Sequence, residues 1–304
     1  MTVRELQDEV LRLKKEKGVF ILAHSYERQE ITEIADVVGD SYRLATSVKG
    51  AKEDTVLMCG VRFMAETVKI LAPEKRVILS HREAGCPMAD GITPAQLSAL
   101  QAKYPKAVTA AYINTTAKIK AMSDVCVTSS SAVKVLSRLA EQEILFVPDR
   151  NLGSYCAKQL PEKNFYFFDG GCPVHMIAEE RDVVRAKQAH PDALLLVHPE
   201  CDTEVAERAD YVGSTSGIMD YVRKSAHGEF IIGTENSVKE HLEYEFPDKK
   251  FFELSHRFTC ENMRLTTLKG VYDCLTGGGE EIILDEPLRL AAKKCIDRMI
   301  ELGG

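Results

Sequence analysis

The chain has no long apolar run; none of its hydrophobic stretches reaches the roughly 20 residues that a membrane-spanning helix requires. It has no basic excess either, since 39 Lys and Arg stand against 46 Asp and Glu for a formal charge of −7. Binding along a phosphate backbone needs a basic surface, so neither nucleic acid nor a membrane is an expected partner. There is no Pro-, Gly- or Ser-rich tract, which leaves no room for a long linker or a disordered arm. The opening stretch MTVRELQDEVLRLKKEKG does not read as a secretory signal, because Leu6, Val10 and Leu13 share one face among alternating charges. Nine cysteines are present but no Cys-x-x-Cys pair, and the odd number does not suit a complete disulfide framework. A cytoplasmic, reducing location is expected, where thiols act as buried hydrophobes, reactive groups or metal ligands.

What is present is repetition. AGCPM at 84–88 returns as GGCPV at 170–174, and the surrounding text returns with it. VFILAH, ending at His24, matches AVTAAYIN, ending at Asn114, and ALLLVHPE around His198. Asp36, Asp124 and Asp210 lie 88 and 86 residues apart, and Ser41, Ser129 and Thr215 keep that spacing. Further apolar stretches run into polar loops at 55–64, 144–153 and 230–238, and each repeat closes on a strand and a cysteine: Cys86, Cys172 and Cys260.

Short β-branched strands alternate with helical patterns, which indicates parallel sheets covered by helices. The expected fold is α/β: three similar three-layer αβα units, at 1–86, 87–172 and 173–260, arranged around a pseudo-threefold axis. Segment 261–304 is expected to pack back on the first unit. A capping box is expected where Thr93 precedes Pro94 and Gln96. Ligands gather beyond the carboxyl ends of parallel strands, and the repeated polar residues fall there.

Three equivalent cysteines brought to one centre suit a cubane iron–sulfur cluster, in which three thiolates leave one iron open to act as a Lewis acid. A zinc site is the competing reading and would need a fourth ligand, for which His175 is the nearest candidate. Cys59, Cys126, Cys156, Cys274 and Cys295, in apolar strands or helices, read as buried free thiols. Cys201 follows HPE in a loop facing the site, where a structural role competes with a spare ligand or reactive thiol. His81, His190, His227, His241 and His256 read as ordinary surface or core histidines. His24 and His198 differ because they end equivalent strands. Tyr26 is a candidate proton donor. Ser41, Ser129 and Thr215 either cap the helices that follow or offer hydroxyls to a ligand. GSTSG at 213–217, with Ser214 and Thr215, offers backbone donors near a helix start.

ILAHSY, IADVVGDS, FMAET, GCPMAD, YINTTA, FVPDRNLG, GCPVH, VHPEC, ADYVGSTSG, IGTE and CENM occur in this order between residues 19 and 264. As an ordered set they resemble the quinolinate synthase family. The resemblance implies three α/β units around one 4Fe-4S cluster with three cysteine ligands, Cys86, Cys172 and Cys260, and one open iron. It implies condensation of iminoaspartate with dihydroxyacetone phosphate to quinolinate, phosphate and water in NAD biosynthesis, with iminoaspartate supplied by an aspartate oxidase or dehydrogenase. Carried over by motif, the substrate-binding positions are His24, Ser41, Tyr112, Asn114, Ser129, His198, Glu200, Ser214 and Thr215. Tyr26, His175, His198 and Glu200 are the candidates for catalysis. Longer family members carry Cys-x-x-Cys-x-x-Cys near the third ligand; here the text is Cys260-Glu261-Asn262-Met263, so a local disulfide switch is not expected. The rival readings are a three-cysteine 4Fe-4S reductive dehydroxylase of isoprenoid precursors, a non-catalytic iron–sulfur sensor and a zinc-stapled sugar-phosphate binding protein.

Overall fold

The computed structural model describes residues 1–303. The first unit contains β1 (Val19–His24), β2 (Val37–Gly39), β3 (Thr55–Cys59) and β4 (Arg76–Leu79). The second contains β5 (Val108–Tyr112), β6 (Val125–Val127), β7 (Glu143–Val147) and β8 (Asn164–Phe167). The third contains β9 (Leu194–Val197), β10 (Tyr211–Val212), β11 (Glu229–Gly233) and β12 (Lys250–Glu253). All pairings among these strands are parallel, and the orders β4-β3-β1-β2, β8-β7-β5-β6 and β12-β11-β9-β10 are one topology repeated three times. The leading strands are buried on both faces, as helix-covered parallel strands must be: every residue of β5 is buried, and all but Phe20 of β1.

The repeated aspartates explain part of this sameness. Asp36, Asp124 and Asp210 each accept a hydrogen bond from the backbone N–H fifteen residues earlier, at Ile21 (2.7 Å), Thr109 (2.8 Å) and Leu195 (2.7 Å). Each returns its own N–H to the carbonyl of that same residue. The carboxylate therefore pins the entrance of β2, β6 or β10 to the first strand of its unit, and the triplet is structural. A second triplet was legible at the same spacing but is not evident as a motif. Lys75, Lys163 and Lys249 each point Nζ at two backbone carbonyls of the segment that leads into their unit's third strand. The capping box at Thr93 and Gln96 is present.

Segment 261–304 divides. A two-residue strand, β13 (Glu280–Glu281), pairs antiparallel with β4, and helix Leu268–Leu275 packs on the first helix, Val3–Lys17. The last helix, Glu286–Gly303, departs from the expectation that the whole segment returns to the first unit. It packs chiefly against helix Ala117–Ala121 and β6 of the second unit, and less against helix Arg62–Leu71 of the first. The reason is its apolar stripe of Ala292, Cys295, Ile296 and Met299, which joins one buried cluster running through both units. The third unit buries its apolar residues in two clusters of its own, with Tyr26 of the first unit packed at the edge of one.

Candidate functional site

A cavity lies beyond the carboxyl ends of the strands. Cys86, Cys172 and Cys260, each from a different repeat, line it. Cys86 and Cys260 are the residues immediately before short helices, Pro87–Asp90 and Glu261–Arg264, and Cys172 precedes the 3-10 turn His175–Ile177. Burial pushes the Cys86 thiol up to about 12, Cys260 up to about 11, and Cys172 upward as well. Backbone N–H groups oppose this: those of Ala89 and Met88 at Cys86, Met263 and Asn262 at Cys260, and His175 at Cys172. Each sulfur thus meets amides that favour a thiolate once a cation offsets the cost of burial.

The donors fit a soft metal centre held by three thiolates. No fourth cysteine lines the cavity among the described residues. Cys201 is 1% exposed, lies in an apolar cluster of the third unit and points its thiol at the Gly233 carbonyl, 3.5 Å away. Cys59, Cys126, Cys156, Cys274 and Cys295 are buried free thiols. A tighter group of mixed donors, Cys172, His175 and Glu200, has its ligand atoms within 4.8 Å of one another.

Polar groups from all three units meet beside the cysteines. Tyr112 donates to Glu200 Oε1 at 2.5 Å, and His175 Nδ1 lies 2.8 Å from Glu200 Oε2 and 3.3 Å from Cys172 Sγ. With Nδ1–H given to the carboxylate, His175 Nε2 accepts from the Thr234 hydroxyl at 2.9 Å. Thr234 accepts from Tyr26 at 3.0 Å, and Tyr26 accepts from Thr215 at 3.0 Å. The result is one directed chain: Thr215, Tyr26, Thr234, His175, Glu200, with Tyr112 arriving from the other side. Burial would raise Glu200, but His198 and His175, with the hydrogen bonds from His175 and Tyr112, outweigh it and hold the carboxyl below the usual range. Burial raises both Tyr26 and Tyr112, so both phenols stay protonated as donors.

His24 and His198 repeat one arrangement. Nδ1 of each accepts the backbone N–H two residues on, from Tyr26 at 3.1 Å and Glu200 at 3.3 Å. That contact places the proton on Nε2. Burial lowers His24 to about 4 and His198 to about 3, so both imidazoles are neutral donors near pH 7. Tyr112 occupies the corresponding strand end in the second unit. Asn114 also lines the cavity, and its Oδ1 is buried without a partner.

The hydroxyls of Ser41, Ser129 and Thr215 do not cap their helices. Asp40 caps helix Ser41–Ser47 by accepting from Arg43 N, and Ser214 caps helix Thr215–Lys224 by accepting from Gly217 N. Ahead of helix Ala132–Ser137, Thr128 and Ser131 bond each other. The caps free Ser41, Ser129 and Thr215, all three of which line the cavity, whereas Ser214 is spent on its cap and does not. Every other candidate from the sequence lies on this wall. Reading the sequence missed Asp40, Glu235, Asn262 and the bridging Thr234. All four stand inside motifs already quoted, GDS, IGTE and CENM, but nothing in the repeat singled them out. Among the described residues no lysine or arginine lines the cavity, so an anion there would depend on imidazoles, hydroxyls and amides.

The model of the family described as Quinolinate synthetase A protein matches residues 8–301. The quinolinate synthase of Clostridium perfringens (strain 13 / Type A) is 45% identical over 300 residues, covering 99% of this chain and 100% of that protein. That of Caldicellulosiruptor saccharolyticus is 45% identical over 303 residues, covering all of both chains. That of Methanoregula boonei is 46% identical over 297 residues and 98% of each.

Proposed function

The chain belongs to the quinolinate synthase family, and we propose that it condenses iminoaspartate with dihydroxyacetone phosphate to quinolinate, phosphate and water in NAD biosynthesis. Cys86, Cys172 and Cys260 would hold one 4Fe-4S cluster, with the three units set around a pseudo-threefold axis through the cavity. The observation that carries this reading is the meeting of three equivalent cysteines, 86 and 88 residues apart, in one cavity with the polar ends of equivalent strands. Bound there, the cluster would supply Lewis-acid polarisation of a substrate hydroxyl or carboxylate at the iron left open by three thiolates.

The chain's own residues supply the rest. His24 and His198 donate Nε2–H to the anionic groups of the substrates, and Tyr112 and Asn114 orient a carboxylate. Ser41, Ser129 and Thr215 offer hydroxyls from the three units. Tyr26, which the Thr215 hydroxyl reaches, gives a proton to a developing alkoxide or enolate, and Glu200, held by Tyr112 and His175, orients the donors. Iminoaspartate would come from an aspartate oxidase or dehydrogenase.

The test is iron and sulfide content of anaerobically purified protein, compared with Cys86→Ala, followed by a quinolinate assay without reductant. About four irons and four sulfides per chain, lost in the variant, are expected, with redox-neutral turnover. A requirement for an electron donor would point instead to a reductive dehydroxylase. Stoichiometric zinc in place of iron would favour a zinc site at Cys172, His175 and Glu200 and leave Cys86 and Cys260 as structural thiols.

A further inference from the structure

The loop entering the helix after the third strand of each unit is tied to the cysteine loop by one repeated bond. Arg62, Arg150 and Asn236 donate their backbone N–H to the carbonyls of Ala84, Gly170 and Phe258, each at 2.8 Å. Those carbonyls lie two residues before Cys86, Cys172 and Cys260. The residues just before the three donors, Val61, Asp149 and Glu235, are therefore equivalent positions.

Asp149 and Glu235 use their carboxylates alike. One oxygen takes the N–H that starts the following helix, Leu152 N on Asp149 Oδ1 and Ser237 N on Glu235 Oε2, both at 2.8 Å. The other faces the amide of the unit's own cysteine: Cys172 N lies 3.2 Å from Asp149 Oδ2, and Cys260 N lies 3.4 Å from Glu235 Oε1. Both carboxylates are fully buried, and Arg264, on the far side of Cys260, reaches Glu235 at 3.5 Å. The first unit has Val61 at this position, and Cys86 N turns to the exposed Asp90, Oδ2 at 3.4 Å.

We propose that Asp149 and Glu235 are positioning residues for the metal centre, each locking one cysteine loop to its unit's helix start, while the amide of the first cysteine has an exposed carboxylate in their place. The inference rests on the reading of the three cysteines as cluster ligands. Second-sphere partners of this kind set ligand orientation and metal retention. An amide in place of either carboxylate keeps the shape and one acceptor, but turns a donor toward the cysteine N–H.

The experiment uses full-length Asp149→Asn, Glu235→Gln and Asp90→Asn. Loaded protein is exposed to an iron chelator, and iron-free protein is treated with iodoacetamide under anaerobic conditions, with labelling at each cysteine followed by mass spectrometry of peptides. Iron should be lost about 10- to 100-fold faster from the first two variants, the range met when partners of metal ligands are removed. Labelling should accelerate at Cys172 alone in Asp149→Asn and at Cys260 alone in Glu235→Gln, with the smallest changes in Asp90→Asn. Wild-type rates in the two buried variants would overturn the proposal. So would equal acceleration at all three cysteines, which marks general loosening. Wild-type protein that takes up no iron would remove the cluster reading, while the labelling pattern still decides whether the carboxylates hold their loops.

Discussion

The first and second units are joined by grease and the third by polar groups. One apolar cluster runs from Leu22 and Phe63 through Tyr112 and Phe146 to Ile296 and Met299 of the last helix. Across the seam between the first and third units the contacts are Ser216 to Asp40 at 2.8 Å, Ser237 to the Tyr26 carbonyl at 3.0 Å, His241 to Gln29 and Glu27, and Tyr26 to Thr215 and Thr234. The second and third meet through Tyr112 and Asn151 on Glu200, with Asn151 also reaching Asp202. The difference teaches where each kind of free energy is used. Apolar burial is non-directional and holds two units together whatever the site needs, whereas directional bonds hold the third in the one orientation that completes the proton chain.

Tyr26→Phe strikes the polar seam at its centre and should have the largest effect. Turnover is expected to fall roughly 100- to 10,000-fold, the usual worth of a positioned acid or base, with iron content and the visible spectrum unchanged. Near-normal quinolinate formation would remove Tyr26 from the chemistry. Ile296→Ala strikes the apolar seam. It should cost about 2–5 kcal/mol of stability by denaturant titration, with kcat/KM unaltered at temperatures where the variant is folded; a matching loss of activity would mean the two seams are not independent.

Glu27 sharpens the contrast, because it lies on the polar side with neither carboxylate oxygen hydrogen-bonded, and burial pushes it up to about 8. The nearby Thr266 hydroxyl, Arg28 and Arg264 pull it down and Glu235 pushes it up, so burial prevails. A folded pKa above the unfolded 4.5 means that the native state binds the extra proton between about pH 4.5 and 8, and stability falls as pH rises through that window. Glu27→Gln should therefore be more stable than wild type by a few kcal/mol at pH 8 and indistinguishable at pH 4.5. Equal stability at both values would mean that Thr266 or another partner compensates the burial of Glu27. The smallest effect is expected from Ser216→Ala, which removes one bond across the polar seam and should cost about 1 kcal/mol, visible in thermal unfolding and absent from the metal content.

Much of the fold was legible because the chain repeats itself. Asp36, Asp124 and Asp210 recur at the spacing of the units, and their common bond to the first strand shows why that spacing is kept. Lys75, Lys163 and Lys249 carried the same signal and were passed over, since a lysine that ties two carbonyls looks like any surface lysine in a string of letters. The hydroxyl positions were visible too, but not their freedom: that depended on Asp40 and Ser214 taking the caps, a local competition decided by backbone geometry. Thr234 was invisible for a different reason. It matters by standing between Tyr26, 208 residues away, and His175, 59 residues away, and no periodicity within one unit encodes that meeting.

By itself, then, the sequence determined three similar parallel α/β units and the equivalence of Cys86, Cys172 and Cys260, because hydrophobic period and repeat spacing are properties of a single unit. Only the tertiary structure decided which units share a core, where the last helix lies, that Asp149 and Glu235 face the cysteine amides, and that Thr215, Tyr26, Thr234, His175 and Glu200 form one chain. Those facts depend on distances between surfaces of different units, and such distances are settled when the surfaces pack.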